Sequence, residues 1–272
     1  LRSLLTMLGI IIGVAVISRL GILAMSLKIL RAGFLFSFFA LICISGDMLL
    51  VPVVLLGLNK FKFMQNLCRD LVRVSWGFFI KVTKICGYLD YKFELTKLNG
   101  GSNLVIANHP SLLDVVFLVS KFKRINCIVK GELGKNIFLF AAIRACNYIP
   151  NTNNEEFLQK SVDVLKSGEN LLIFPEGTRT KEEIIFHKAA AYMGIKGASN
   201  VVCVGINMAP RSLRKNEPWY KTPDKKIKYV FKELKKFEVS EFLKDRPSPV
   251  RARALHEEIS KIYKEEFSER TS

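Results

Sequence analysis

Between Gly33 and Leu58 the chain carries 26 consecutive residues with a single formal charge, Asp47, and this run limits the fold more severely than any other feature. About 20 apolar residues suffice to cross the hydrocarbon core of a bilayer as one helix, so the run is long enough to span. Gly46 and Pro52 interrupt it, and the alternative is a broken, re-entrant hairpin held in one leaflet. Asp47 is costly against lipid in either arrangement and is expected near an interface or beside a partner. A shorter apolar run, Leu4 to Ile17, extends past Arg19 to about Leu27 and is a candidate second membrane helix.

The remaining polarity is strongly basic. Lys and Arg number 41 against 24 Asp and Glu, a formal charge of +17. Lys60, Lys62, Arg69 and Arg73 follow the long apolar run, as expected on the cytoplasmic side of a membrane segment. Lys121, Lys123 and Arg124 form a second patch, and Lys221, Lys225, Lys226 and Lys228 a third. Anionic headgroups attract such patches by about 1 kcal/mol per residue near the surface. Nucleic acid would attract them too, but no nucleic-acid motif or zinc-ligand spacing accompanies them, so membrane lipid is the expected partner. The six cysteines show neither a paired framework nor a C-x-x-C spacing, which fits reduced thiols facing cytosol. Arg19 falls where a signal peptidase would need small residues, which argues against a cleaved leader.

Beyond the apolar run, Asn66 to Tyr88 reads as an amphipathic connecting helix suited to an interface. Strand-like runs at Leu104 to Ala107, Ile125 to Val129, Leu171 to Phe174, Val201 to Ile206 and Ile227 to Phe231 then alternate with helical stretches around 111–120, 155–167 and 186–196. That alternation predicts an α/β domain, a mixed sheet layered with helices. The expected organisation is a hydrophobic segment over 1–27, an anchor with its connecting helix over 28–90, a catalytic domain over 91–248 and a charged helix over 249–272.

Chemistry concentrates at two strand ends. In Asn108-His109-Pro110-Ser111-Leu112-Leu113-Asp114, Pro110 bars a helix from starting earlier. On one helix, positions five apart face different ways, but across a strand-to-helix bend His109 and Asp114 can meet. The carboxylate would then hold Nδ1, leaving Nε2 as a base. Ser111 and Asp114 also make a capping box, a purely structural use of the same carboxylate. In the second stretch, Leu171 to Phe174 is followed by Pro175, Glu176, Gly177, Thr178 and Arg179. An arginine fork suits phosphate oxygens. The plain alternative is a surface turn with Arg179 paired to Glu176 or Glu182.

These residues resemble the glycerolipid acyltransferase family, typified by 1-acylglycerol-3-phosphate acyltransferases. His109 to Asp114 is similar to its His-x4-Asp signature and Phe174 to Arg179 to its Phe-Pro-Glu-Gly-Thr-Arg block. The likeness runs from about Gly33 to about Leu234. It implies His109 and Asp114 as catalytic residues, and Lys130, Glu176, Gly177, Thr178 and Arg179 as substrate-binding ones. Ile128 to Leu133 resembles a further block in which the lysine contacts substrate phosphate. Two departures stand out. Pro150 and Asn151 occupy the place of an acidic residue followed by arginine, and Val201 to Ile206 lacks the expected proline. Arg144, Lys135 or Lys188 are candidates to compensate for the missing arginine.

The resemblance implies transfer of an acyl group from acyl-CoA or acyl carrier protein to a lysophospholipid hydroxyl, giving phosphatidate in phospholipid synthesis. It implies no bound cofactor and no metal. The expected setting is the inner membrane of a bacterial cell, with the catalytic domain toward the cytoplasm. Backbone amides after Pro110 are expected to stabilise the oxyanion. The stretch from Phe186 to Tyr220 also resembles acyltransferases of aryl-polyene pathways, whose acceptor is not phosphatidate-forming. Two other readings stay open: a hydrolase with Ser111 as nucleophile, although no G-x-S-x-G elbow is present, and a non-catalytic lipid-binding protein that kept the fold. His187 and His256 read as helix-surface residues. Leu1 to Gly9 resembles the first membrane segment of macrolide-exporter-type permeases, and Met25 is the expected native start.

Overall fold

Seven strands form in the order the apolar runs suggest, with two additions: β1 (Leu89–Glu94), β2 (Asn103–Ala107), β3 (Asn126–Lys130), β4 (Ile149–Asn151), β5 (Leu171–Ile173), β6 (Asn200–Ala209) and β7 (Ile227–Glu238). They join in one mixed sheet ordered β1-β7-β6-β2-β5-β3-β4. Only β6 and β7 run antiparallel; the other neighbours are parallel. The computed structural model describes residues 26–98, 101–152, 154–180, 183–218, 220, 221, 223 and 225–268. The run Leu4 to Ile17, Met25 and Glu182 lie outside these residues.

Helices cover both faces of the sheet, which is why its central strands read as unbroken apolar runs. All five residues of β2 are buried. Leu104 and Ile106 pack with α5 (Glu155–Lys166), α6 (Ala189–Gly197) and α7 (Ser248–Ser268). Val105 and Ala107 point to the opposite core, shared with α1 (Ser26–Leu55), α2 (Lys62–Ile85), α3 (Asp114–Lys121) and α4 (Phe140–Ala145). Each such aliphatic side chain contributes about 1.5 to 3 kcal/mol by leaving water. The added strands are both edges. In β1, Leu89, Tyr91 and Phe93 alternate with Asp90, Lys92 and Glu94, whose charges suit an unpaired rim. In β4, Pro150 is tolerated because an edge strand can spare its hydrogen bond.

The long apolar run is one continuous helix, α1, through both Gly46 and Pro52, so the broken hairpin is not what forms. It ends just beyond Pro52, where Gly57 adopts φ 67, the left-handed conformation that closes helices. One face packs inward, with Phe39 and Phe38 meeting Phe79 of α2 at 5.0 and 6.3 Å between ring centroids. The other face exposes Leu30, Leu41, Ile44, Met48 and Leu49, and the exposure continues on α2 at Phe63, Leu67 and Phe78. By length and composition α1 can cross a membrane.

Within the first basic patch Lys60 and Lys62 are exposed, but Arg69 does not face headgroups. Arg69 is 1% exposed and donates to Glu169 and to the Cys146 carbonyl, while Lys62 also pairs with Glu169. Arg69 falls at helical spacing with buried Gln65, Cys68 and Val72, which turns it to the inner face of α2.

Candidate active site

The corner that carries His109 is assembled by groups that extend the sheet beyond its last ladder bond. Asn108 follows β2, and its side-chain amide accepts from the Ile206 amide at 2.7 Å and donates to the Ile206 carbonyl at 2.9 Å. That pins the chain immediately before His109. The bend at Pro110 then brings His109 Nδ1 to 2.9 Å from Asp114 Oδ2, and the same oxygen accepts the Ser111 amide at 2.7 Å. The two readings of this carboxylate coexist: one atom both ties the helix start and holds the imidazole. With Nδ1 donating, the Nε2 lone pair is the basic position. Asp114 is fully buried and His109 is 17% exposed, so the acid is sealed while the base remains reachable.

The second segment is stitched to the first. After β5 the chain turns tightly, with the Gly177 amide donating to the Phe174 carbonyl at 3.0 Å and Gly177 at φ 65, where a side chain would be strained. Glu176 Oε1 accepts the His109 amide at 2.8 Å and the Thr180 hydroxyl at 2.7 Å. The Thr180 amide returns a bond to the His109 carbonyl at 2.7 Å. The Phe174 ring lies 4.4 Å from the His109 ring, forming one wall. Burial pushes the carboxyls of both Asp114 and Glu176 above their ordinary values, opposed by the hydrogen bonds they accept.

Arg179 does not pair with Glu176. Its Nη1 donates to the Leu213 and Arg214 carbonyls, each at 2.9 Å, and Nε and Nη2 have no hydrogen-bond partner among the described residues. Lys130 ends β3 on the same edge of the sheet as His109 and Glu176, because β2, β5 and β3 are parallel neighbours. It is exposed and sits 2.5 Å from Glu132. Gly177 and Thr178 are exposed at the tip of the turn, where a Cβ on Gly177 would meet the His187 ring at 3.9 Å. Arg144, Lys135 and Lys188 are all exposed.

Two expectations change. The Ser111 amide is held by Asp114, and the Leu112 amide donates to the Leu213 carbonyl at 3.3 Å, so neither points to an oxyanion. Ser111 itself is fully buried with its hydroxyl 2.9 Å from the Tyr229 hydroxyl, which removes it as a nucleophile. Buried Cys127, Cys146 and Cys203, pushed up to about 12, supply no thiolate either. Among the described residues no group of three or more His, Cys, Asp or Glu is placed to hold a metal ion.

An imidazole reachable from solvent, a sealed carboxylate behind it and an arginine-bearing loop beside it thus stand together at one edge of a helix-flanked mixed sheet. Residues 91–210 match the family model described as Acyltransferase. No curated protein sequence matches the chain. Among solved structures it is similar to the crystal structure of the 1-acyl-sn-glycerophosphate (LPA) acyltransferase PlsC from Thermotoga maritima. The identity is 20% and the TM-score 0.60, covering 87% of this chain and 98% of that one. At that identity the likeness establishes a common fold.

Proposed function

We propose that the protein acylates the free hydroxyl of a membrane lysophospholipid, foremost 1-acylglycerol-3-phosphate, and so forms phosphatidate. The observation that carries this reading is the 2.9 Å contact between His109 Nδ1 and Asp114 Oδ2. Nε2 takes the proton of the acceptor hydroxyl as its oxygen attacks the thioester carbonyl of acyl-CoA or acyl carrier protein. The tetrahedral intermediate collapses with loss of the thiolate, and the imidazolium returns the proton to that sulfur. No acyl-enzyme is formed, which accords with the burial of Ser111 and of the cysteines. Asp114 stabilises the transient imidazolium, and Glu176 fixes the distance between the two loops.

Arg179, through Nε and Nη2, and Lys130 serve the acceptor phosphate. The exposed apolar faces of α1 and α2 dip into the membrane and bring the edge of the sheet to the lipid, on the cytoplasmic side of the inner membrane. The test is a mass-spectrometric screen of the purified full chain in vesicles, with acyl-CoA or acyl carrier protein as donor. Acceptors are lysophosphatidate, other lysolipids and polyene-type alcohols. Phosphatidate is the expected product; acylation of the alcohols alone, or of nothing, rejects the reading.

A further inference from the structure

Where β6 ends, at the cis peptide between Ala209 and Pro210, the chain leaves the catalytic edge and returns as β7. This connection is tightly held at its start. Leu213 is 4% exposed and sits at φ 55, a left-handed conformation that a branched side chain rarely adopts and that its surroundings must enforce. Its carbonyl accepts both the Leu112 amide of the catalytic corner and Arg179 Nη1. Arg214 continues the arrangement, its carbonyl accepting Arg179 Nη1 and its amide donating to Glu217 Oε2 at 3.0 Å. Arg179 is thus partly spent as a tether between two loops.

Behind the tether lies a polar cleft of about 350 Å³, walled by Thr180 on one side and by Arg214, Lys215, Glu217 and Lys221 on the other. Its size falls in the range of small-ligand sites, roughly 300 to 1,000 Å³. Among the described residues three cationic side chains and one carboxylate line it, and Thr180, on its wall, donates its amide to the His109 carbonyl, which ties the cleft to the loop that carries the imidazole.

We infer that this cleft binds a phosphate-bearing end of the substrates, with Lys215 and Lys221 as its cationic contacts and Arg179 holding it against His109. The inference deepens the proposed function and rests on it for the identity of the substrates. A phosphate there can come from the acceptor's headgroup or from the nucleotide of acyl-CoA.

The test is calorimetric binding to the full chain in detergent, which needs no turnover. Glycerol 3-phosphate represents the headgroup and adenosine 3′,5′-bisphosphate the nucleotide. Both lysines are exposed, so the paired Lys215→Ala and Lys221→Ala change leaves the core intact. Affinity for at least one probe should fall roughly tenfold or more, the loss of charge-assisted hydrogen bonds, and the paired change to arginine should retain it. The probe that weakens identifies which substrate end occupies the cleft. Equal affinity of wild type and the alanine pair for both probes, or no binding of either by wild type, overturns the inference. A lysine-dependent binder that forms no phosphatidate would instead sink the proposed function.

Discussion

The two ends of the central strands treat buried charge in opposite ways. At the entry end of β5, Glu169 is met by Arg69 and Lys62. Burial alone would push its carboxyl up, yet the two cations outweigh this and hold it below its ordinary value. Asn103, Asn126 and Asn170 complete that end by bonding across the starts of β2, β3 and β5. At the exit end, Asp114 and Glu176 are buried without a full countercharge, and burial holds both above their ordinary values. One end is neutralised and structural. The other keeps two buried acids whose charged forms are favoured by His109 and, for Asp114, by Arg179, yet not enough to offset burial.

Substitutions can break this contrast. His109→Ala should lower turnover by about 10² to 10⁴-fold with the fold retained, and Asp114→Asn, which still ties the Ser111 amide, should lower it by about 10²-fold. Steady-state rates with circular dichroism as the folding control would check both. Arg69→Ala should leave the chemistry alone and cost about 3 kcal/mol of stability, because it leaves Glu169 with Lys62 alone and the Cys146 carbonyl without its donor. Denaturant unfolding measures this, and the pair Arg69→Met with Glu169→Gln should recover most of it. Glu176→Gln is the smallest effect, below about 1 kcal/mol. Since burial raises the folded pKa of Glu176 above the unfolded one, its ionised form costs stability above the ordinary glutamate range. The variant should therefore melt slightly higher near neutral pH, and its advantage should vanish as pH falls below that range.

What could be read in advance was local. Pro110 alone places the bend that lets His109 reach Asp114, and the buried runs at Leu104 to Ala107 and Leu171 to Phe174 name the strands that carry both loops. Spacing presents capping and orienting as alternatives for Asp114, because it does not show that one oxygen accepts twice. Contacts set by the tertiary fold were hidden. Arg69 looked like a membrane-facing cation because Glu169 lies 100 positions away, and Tyr229 beneath Ser111 lies 118 positions away. β1 was masked by its charged outward residues, and β4 by its proline and its three-residue length. The first turn after Pro110 looked like an anion site, and only Leu213, arriving from the far side of β6, takes up the Leu112 amide.

The site works as described only if the neutral His109 ring carries its proton on Nδ1, toward Asp114, and leaves Nε2 bare. Nitrogen NMR of the histidine-labelled protein in mildly alkaline solution reads this directly. There are three histidines, and the His109→Ala spectrum assigns the signal. The predicted result is an Nδ1–H tautomer that is lost in Asp114→Asn; an Nε2–H tautomer in the wild-type protein would contradict the account.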